Sequence, residues 1–364
     1  MTLFLCGDVM LGRGIDQILP HPSDPILKES YVRDARDYVA LAEAENGRMP
    51  RPVDFPYVWG DALAELEHVS PDFRIINLET SVTVSKCFWA EKDIHYRMHP
   101  QNIPCLKAAR IDCAVLANNH ILDFGYQGLT ETVAALNGAG IKTAGAGQNS
   151  ERAAEPAVLD GGRQNRVLVY AYGHASSGVS VDWSADWDKP GVNFLPNLSD
   201  TILLDVQKNV ATWKQPGDTA IFSIHWGANW GYDVDPVHRQ FAHDLIDKAA
   251  IDVVYGHSSH HAKGLEVYQG KLILYGCGDF INDYEGIAGY EAFRDDLTLM
   301  YFLHLNPNGS LMALEMVPMQ IRQFRLQSAS SADAQWLYEV LKREGEKFGA
   351  RIELTSQNVL LLAQ

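Results

Sequence analysis

The sequence predicts an α/β fold, and three observations carry that prediction. Apolar runs of strand length alternate with stretches of helical periodicity through most of the chain. Six of those runs stop at a short polar cluster: Cys6-Gly7-Asp8, Asn77-Leu78-Glu79, Asn118-Asn119-His120, His225-Trp226-Gly227, Gly256-His257-Ser258-Ser259-His260-His261 and Gly278-Asp279-Phe280. With 364 residues, 46% of them hydrophobic, the chain is long enough to bury a large core. In α/β layouts the carboxyl ends of strands gather at one edge of the sheet, so the six clusters are predicted to meet.

The elements follow in order. Leu3-Phe4-Leu5 opens a first strand that runs into the glycine-containing turn Gly7–Gly14. Pro20–Pro56 is rich in Pro, charge and Tyr, with one helix predicted around Tyr31–Glu45, and reads as an insertion beside the site's mouth. Helical periodicity resumes at Trp59–Leu66 and delivers the strand Arg74-Ile75-Ile76 that ends at Asn77. Helices are then predicted at Ile103–Ala109, Leu129–Ala139, Leu198–Lys214 and Pro236–Ala250. They precede strands at Cys113–Ala117, Lys142–Ala144, Thr219–Ile224 and Asp252–Tyr255. Beyond Asp279 the rhythm changes to two extended runs, Thr298–Leu305 and Ser310–Gln320, around the turn Asn306-Pro307-Asn308-Gly309. The expected organisation is one domain over 1–325, with the insertion at about 20–56, and a C-terminal helix near Ala332–Gly345 and tail over 326–364 that pack on it.

Composition bounds the function. A formal net charge of −16 disfavours grip on nucleic acid, whose affinity comes mostly from Lys and Arg on phosphates. A local positive spot made by a metal and one or two arginines would still capture a small anion, so the expected partner is a small anionic or acidic substrate. The five cysteines are scattered and form no C-x-x-C pair, which argues against a disulfide framework or a structural zinc cluster. The first residues lack a signal-peptide pattern and no stretch is apolar long enough to span a bilayer, so the expectation is a cytoplasmic protein with no membrane insertion. Oligomeric state is not readable from the chain.

Three imidazoles in five positions, His257, His260 and His261, are costly to place after a buried strand unless something binds them, and neutral imidazole is the commonest protein metal ligand. Asn119 offers an amide oxygen to a cation, and His120 beside it suits proton transfer. Asp8 and Glu79 supply the carboxylates that balance a divalent charge. His225, after Ala220–Ile224, is either a ligand or a core histidine. Arg13 and Arg97 are candidates to clamp an anion through their planar fork.

Taken in order, the motifs Gly7–Arg13, Asn77–Glu79, Ala117–Gly125, His225–Gly227, Gly256–His260 and Tyr275–Phe280 resemble the CapA family of poly-γ-glutamate and capsule synthesis proteins, a branch of the calcineurin-like metallophosphoesterase superfamily. The resemblance covers about residues 2–282 and implies a four-layer α/β/β/α sandwich with one or two divalent ions (Mn, Zn, Fe or Mg) at the strand ends. It assigns Asp8, Asn119, His225, His257 and His260 as ligands, with Glu79, or else Asn77, near the bridging carboxylate. His120 becomes the acid beside the leaving group, and the candidate catalytic pair is His120 with Asp123. Departures stand out. Met10 occupies the place of a superfamily histidine, Ser258-Ser259 that of a common His-Pro, and Asp279 that of a common Asn. His260 rather than His261 is predicted to face the metal, and Met10 to pack without ligating. The implied activity is metal-dependent hydrolysis of a phosphoester or a γ-glutamyl substrate. The alternatives are a non-catalytic accessory protein that binds acidic polymer and a metal-free α/β binding protein.

Overall fold

The computed structural model describes residues 1–162 and 166–363. Two large sheets lie face to face. The first has ten strands, and its central path runs Lys142–Ala144, Cys113–Val115, Phe73–Leu78, Thr2–Val9, Leu297–Leu305, Leu311–Arg322, Leu360–Ala363, Arg351–Leu354. Its first four strands are parallel, and the later ones are antiparallel. Asp279–Ile281 pairs in parallel with Thr2–Val9 and sets Asp279 opposite Asp8. The second sheet has seven strands, in the order Phe194–Leu195, Arg166–His174, Thr219–His225, Val253–His257, Lys271–Leu274, Leu265–Tyr268, with Ala157–Asp160 beside Arg166–His174.

The period-two alternation of side chains explains the layering. Leu3, Leu5, Ile75 and Val115 point to one side and meet Val169, Ile221, Val253 and Leu272 of the second sheet. Phe4, Ile76 and Ala114 point to the other side and pack with Ile15, Leu66, Leu129 and Leu136 of the helices there. Leu168, Phe222, Val254 and Ile273 meet Leu203, Val206, Phe241 and Leu245 on the far side of the second sheet. The result is helix, sheet, sheet, helix, in agreement with the predicted α/β/β/α sandwich. Strands buried on both faces read as unbroken apolar runs, which is why they stand out in the sequence.

Among the described residues the α-helices fall at Arg13–Ile18, Arg36–Asn46, Ala62–Val69, Pro104–Ala108, Gly125–Gly138, Ser150–Ala154, Asp200–Trp213, Pro236–Ala249 and Ser331–Glu346. Two differences from the sequence reading matter. Arg166–His174, to which that reading assigns no element, is an inner strand of the second sheet. The C-terminal tail is a hairpin, Arg351–Leu354 with Leu360–Ala363, that extends the first sheet through Leu311–Arg322. Among the described residues no helix is long and apolar enough to cross a membrane.

Candidate metal centre

The first strand approaches Gly278 so closely that a Cβ on Gly7 would collide with the Gly278 carbonyl oxygen. That contact seats Asp8 beside Asp279, and both carboxylates are buried. Register brings the other sheet into place, because His225 and His257 are Cα partners on neighbouring parallel strands. Their Nδ1 atoms lie 2.9 Å apart, and the His257 Nε2 is 2.7 Å from Ser223 Oγ. Ser258 then adopts a left-handed φ of 103°, a strained turn that aims its N–H at Asp8 Oδ2, 3.2 Å away.

One ligand atom each from Asp8, His225 and His257 lies within 4.8 Å of the others, a group able to hold a metal ion. Asn119 Oδ1 is 3.1 Å from His225 Nε2. Glu79 stands between the two halves, its Oε1 3.7 Å from His120 Nε2 and its Oε2 3.9 Å from His225 Nε2. Asn77 is different: its amide donates to Asp8 Oδ1 at 2.8 Å and to Glu79 Oε2 at 3.4 Å, and its own oxygen accepts from Asn118. Glu79 therefore stands between the two halves of the cluster, and Asn77 orients the carboxylates. His260 is held by Asp279, Nδ1 to Oδ1 at 2.9 Å, and Asn282 donates to the other Asp279 oxygen.

Burial sets the charge states. It pushes the Asp8 carboxyl up to about 7, with Asp279 adding repulsion. Glu79 is raised well above its ordinary value by burial and by Asp8. Burial drives His257 down to about 3 and His225 well below its usual range. His260 is pulled down by burial, but Asp279, Asp8 and Asp295 together more than offset this and leave it above the usual range. The neutral imidazoles of His225 and His257 and the crowded carboxylates in one buried space are the donor chemistry of a divalent cation, which would relieve the mutual repulsion of Asp8, Glu79 and Asp279. The donor set fits such an ion, and its O and N mixture leaves the species open.

His120 and Asp123 lie at the edge of this cluster. Asp123 Oδ2 is 2.7 Å from His120 Nδ1 and also accepts from the Tyr96 N–H at 2.7 Å. The Tyr96 ring sits edge-on to His120, with centroids 4.4 Å apart. Lys92 donates to Asp123 Oδ1 and to the Asn119 carbonyl. Sequence reasoning misses Lys92, since a lone lysine in an aperiodic polar loop gives no signal. His120 lies well below its usual range because it is buried and because Lys92 is near.

Arg13 and Arg97, expected to clamp an anion, are turned inward. Arg13 is 3% exposed and donates to Asp283, Glu29 and Tyr38. Arg97 donates to the carbonyls of Ser85 and Asp24 and lies over the Phe124 ring. The Arg13 fork is spent on the protein itself; Arg97 spends both terminal nitrogens on carbonyls and keeps a buried Nε without a partner among the described residues. His261 faces Tyr232 and Phe293, and Met10 is buried with its sulfur 3.8 Å from the Tyr284 hydroxyl.

The profile of the bacterial capsule synthesis protein PGA_cap family matches residues 2–284, and the chain belongs to that family. It is 50% identical to a probable polyglutamine synthesis accessory protein of Mycobacterium tuberculosis (strain CDC 1551 / Oshkosh) over 99% of this chain and 95% of that one. The capsule biosynthesis protein CapA of Bacillus anthracis is 26% identical over 95% of this chain and 74% of its own length. Among solved structures, a 5′-nucleotidase precursor from Thermus thermophilus aligns with 93% of this chain and 58% of that chain, at 11% identity and a TM-score of 0.45.

Proposed function

We propose that the chain is a metal-dependent hydrolase acting on a small phosphoester or γ-glutamyl substrate. The observation that carries this reading is the placement of Glu79, whose two oxygens face His120 on one side and His225 on the other, within a cluster that also holds Asp8 and His257. Asp8, Glu79, Asn119, His225, His257 and His260 would hold one or two divalent ions. Bound there, such an ion supplies a nucleophile at neutral pH by acidifying water and polarises the electrophilic oxygen.

The chain's own residues do the rest. Asn77 and the Ser258 N–H hold the Asp8 carboxylate in place. Asp123 Oδ2 and Lys92 Nζ both lie against His120 Nδ1, at 2.7 and 2.9 Å, and fix the ring so that Nε2 is the atom that would exchange a proton with the leaving oxygen. Lys92 anchors Asp123 and so the ring that Asp123 orients. Tyr96 and the deep setting of His120 limit the water around that proton.

The test is elemental analysis of protein purified without a histidine tag, followed by hydrolysis assays with aryl and alkyl phosphates and γ-glutamyl peptides. Stoichiometric metal and turnover that falls on chelation are expected. Metal-replete protein that hydrolyses none of these would remove the proposal. A second reading, an accessory protein that binds acidic polymer, is favoured by Met10, a poor ligand for Mg or Mn at a position where the superfamily has histidine, and by the accessory role in the M. tuberculosis relative's name.

A further inference from the structure

Beyond His225 the chain leaves the cluster and helps to wall a cleft of about 580 Å³, lined by Ser176, Trp226, Trp230, Asp233, His238 and Lys263 among others. The cleft adjoins the candidate centre. Trp226 and Gly227 directly follow His225, Ser258 Oγ donates to the Gly227 carbonyl at 3.3 Å, and the Trp230 ring lies 5.1 Å from that of His260.

Lys263 is the unusual group there. It is 9% exposed, and its ammonium makes one hydrogen bond, to the Asp233 carbonyl at 3.2 Å. Among the described residues no carboxylate lies within 4.0 Å of it. Other shielded lysines are matched: Lys214 and Lys271 both pair with Asp252, and Lys92 with Asp123. Asp233 and the buried Glu344 oppose its charge only from beyond 4.0 Å, and Glu344 is already held by Arg343 and Lys347, so the shielded ammonium is under-compensated and open to an anion brought from outside. His238 stacks on Trp226 with centroids 4.6 Å apart, and among the described residues neither of its ring nitrogens has a hydrogen-bond partner. Asp235 is spent on capping the N–H of Val237, and Asp233 is exposed.

We propose that this cleft binds an oxyanion, carboxylate or phosphate, carried by the substrate away from its reacting atoms, with Lys263 as the counter-charge and His238 as a hydrogen-bond donor. Only the description of the ligand as substrate rests on the hydrolase reading.

The experiment is calorimetric titration of wild type, Lys263→Met and His257→Ala with glutarate and, separately, with inorganic phosphate, each variant first checked for native circular dichroism. Lys263→Met keeps the aliphatic volume, and Lys263→Gln serves as a second variant should Met disturb folding. Wild type should bind at least one probe, and the probe bound tells carboxylate from phosphate. Loss of Lys263 should weaken that binding by about tenfold or more. Binding that persists in His257→Ala places the anion in the cleft, whatever becomes of metal and activity in that variant. Binding lost in His257→Ala but kept in Lys263→Met, or no binding by wild type, would overturn the proposal. Absence of metal with intact Lys263-dependent binding would sink the hydrolase reading alone.

Discussion

Arg13→Met is the sharpest test of the structural logic, because an anion clamp and a buried strut respond to it differently. Arg13 donates to Asp283 through Nε at 3.1 Å and Nη2 at 2.5 Å, and through Nη1 to Glu29 at 3.2 Å and the Tyr38 hydroxyl at 2.9 Å. The Arg13, Glu29 and Asp283 side chains are each at most 1% exposed. Removing the guanidinium strands two buried carboxylates, and breaking a buried pair of this kind costs about 3–5 kcal/mol. The left-handed φ of 46° at residue 13 costs methionine no more than arginine, so the loss reports the charges. Urea unfolding followed by circular dichroism should show the midpoint lowered with little change in slope. Because Glu29 and Tyr38 belong to the 20–56 insertion, that segment should also become the first site of proteolysis. Adding Glu29→Gln and Asp283→Asn should recover much of the loss, since the stranded charges are then gone. A cost under about 1 kcal/mol, well below the range for a broken buried pair, would refute the strut, and a selective rise in KM at unchanged stability would restore the clamp.

Three further outcomes are expected. His257→Ala and Glu79→Gln should lose metal together with activity, whereas His120→Ala should keep its metal and lose about 10²–10⁴-fold in turnover, least for aryl phosphates that need no proton. Equal losses for good and poor leaving groups would contradict the proton-carrying role. Burial raises the Asp16 carboxyl from 3.8 to about 6, so the folded chain holds a proton that the unfolded chain releases. That stabilising contribution is complete below about pH 4, is lost as pH rises through 6, and amounts to about 3 kcal/mol at most. The stability of wild type relative to Asp16→Asn should therefore fall between pH 4 and pH 7, and a difference that is flat or rises with pH would rule this out. Finally, if the cluster accepts acidic polymer, it should take a chain end: short and long poly-γ-glutamate should bind with equal affinity per molecule, and an affinity that climbs with length would place the polymer on the surface instead.

What the sequence discloses follows from how strands present their ends. Asp8, Asn119, His225, His257 and His260 each come at or just after the end of an apolar run, and the carboxyl-end rule brings such residues together. Asn77 and Glu79 cannot be separated that way, because side chains two apart on a strand share a face. Only the hydrogen bonds of the Asn77 amide to Asp8 and Glu79 mark it as the group that orients the carboxylates. Arg13 misleads as a candidate clamp because its partners lie 16 and 270 residues away, and no local pattern marks an arginine that will be enclosed. Arg166–His174 escapes notice although Val167–Tyr172 is as apolar as its neighbours and runs into Gly173-His174-Ala175-Ser176-Ser177, because no stretch of helical periodicity precedes it to mark it as part of the alternation. Lys92 and Lys263 illustrate the same limit, since a lysine's role depends on which carboxylates the fold brings near.

The burial of the cluster bears on the choice between hydrolysis and polymer binding. Asp8 and His225 are 0% exposed, His257 1%, Glu79 2%, His120 7% and His260 8%. A surface that holds a polyanion by charge needs cations spread along it, and a chain of net charge −16 whose two best-placed arginines are folded inward offers little of that. Three buried carboxylates, Asp8, Glu79 and Asp279, would repel an acidic ligand unless a cation neutralises them first. Once neutralised, the cluster presents a small, deep positive point beside His120, and reaching it requires a narrow group rather than the flank of a long chain. On the hydrolase reading, His120, held by Asp123 and Lys92, adds nothing to such binding but would serve the proton that a leaving oxygen requires. The same features that make the site a poor grip on polymer make it suited to cleaving a bond at one end.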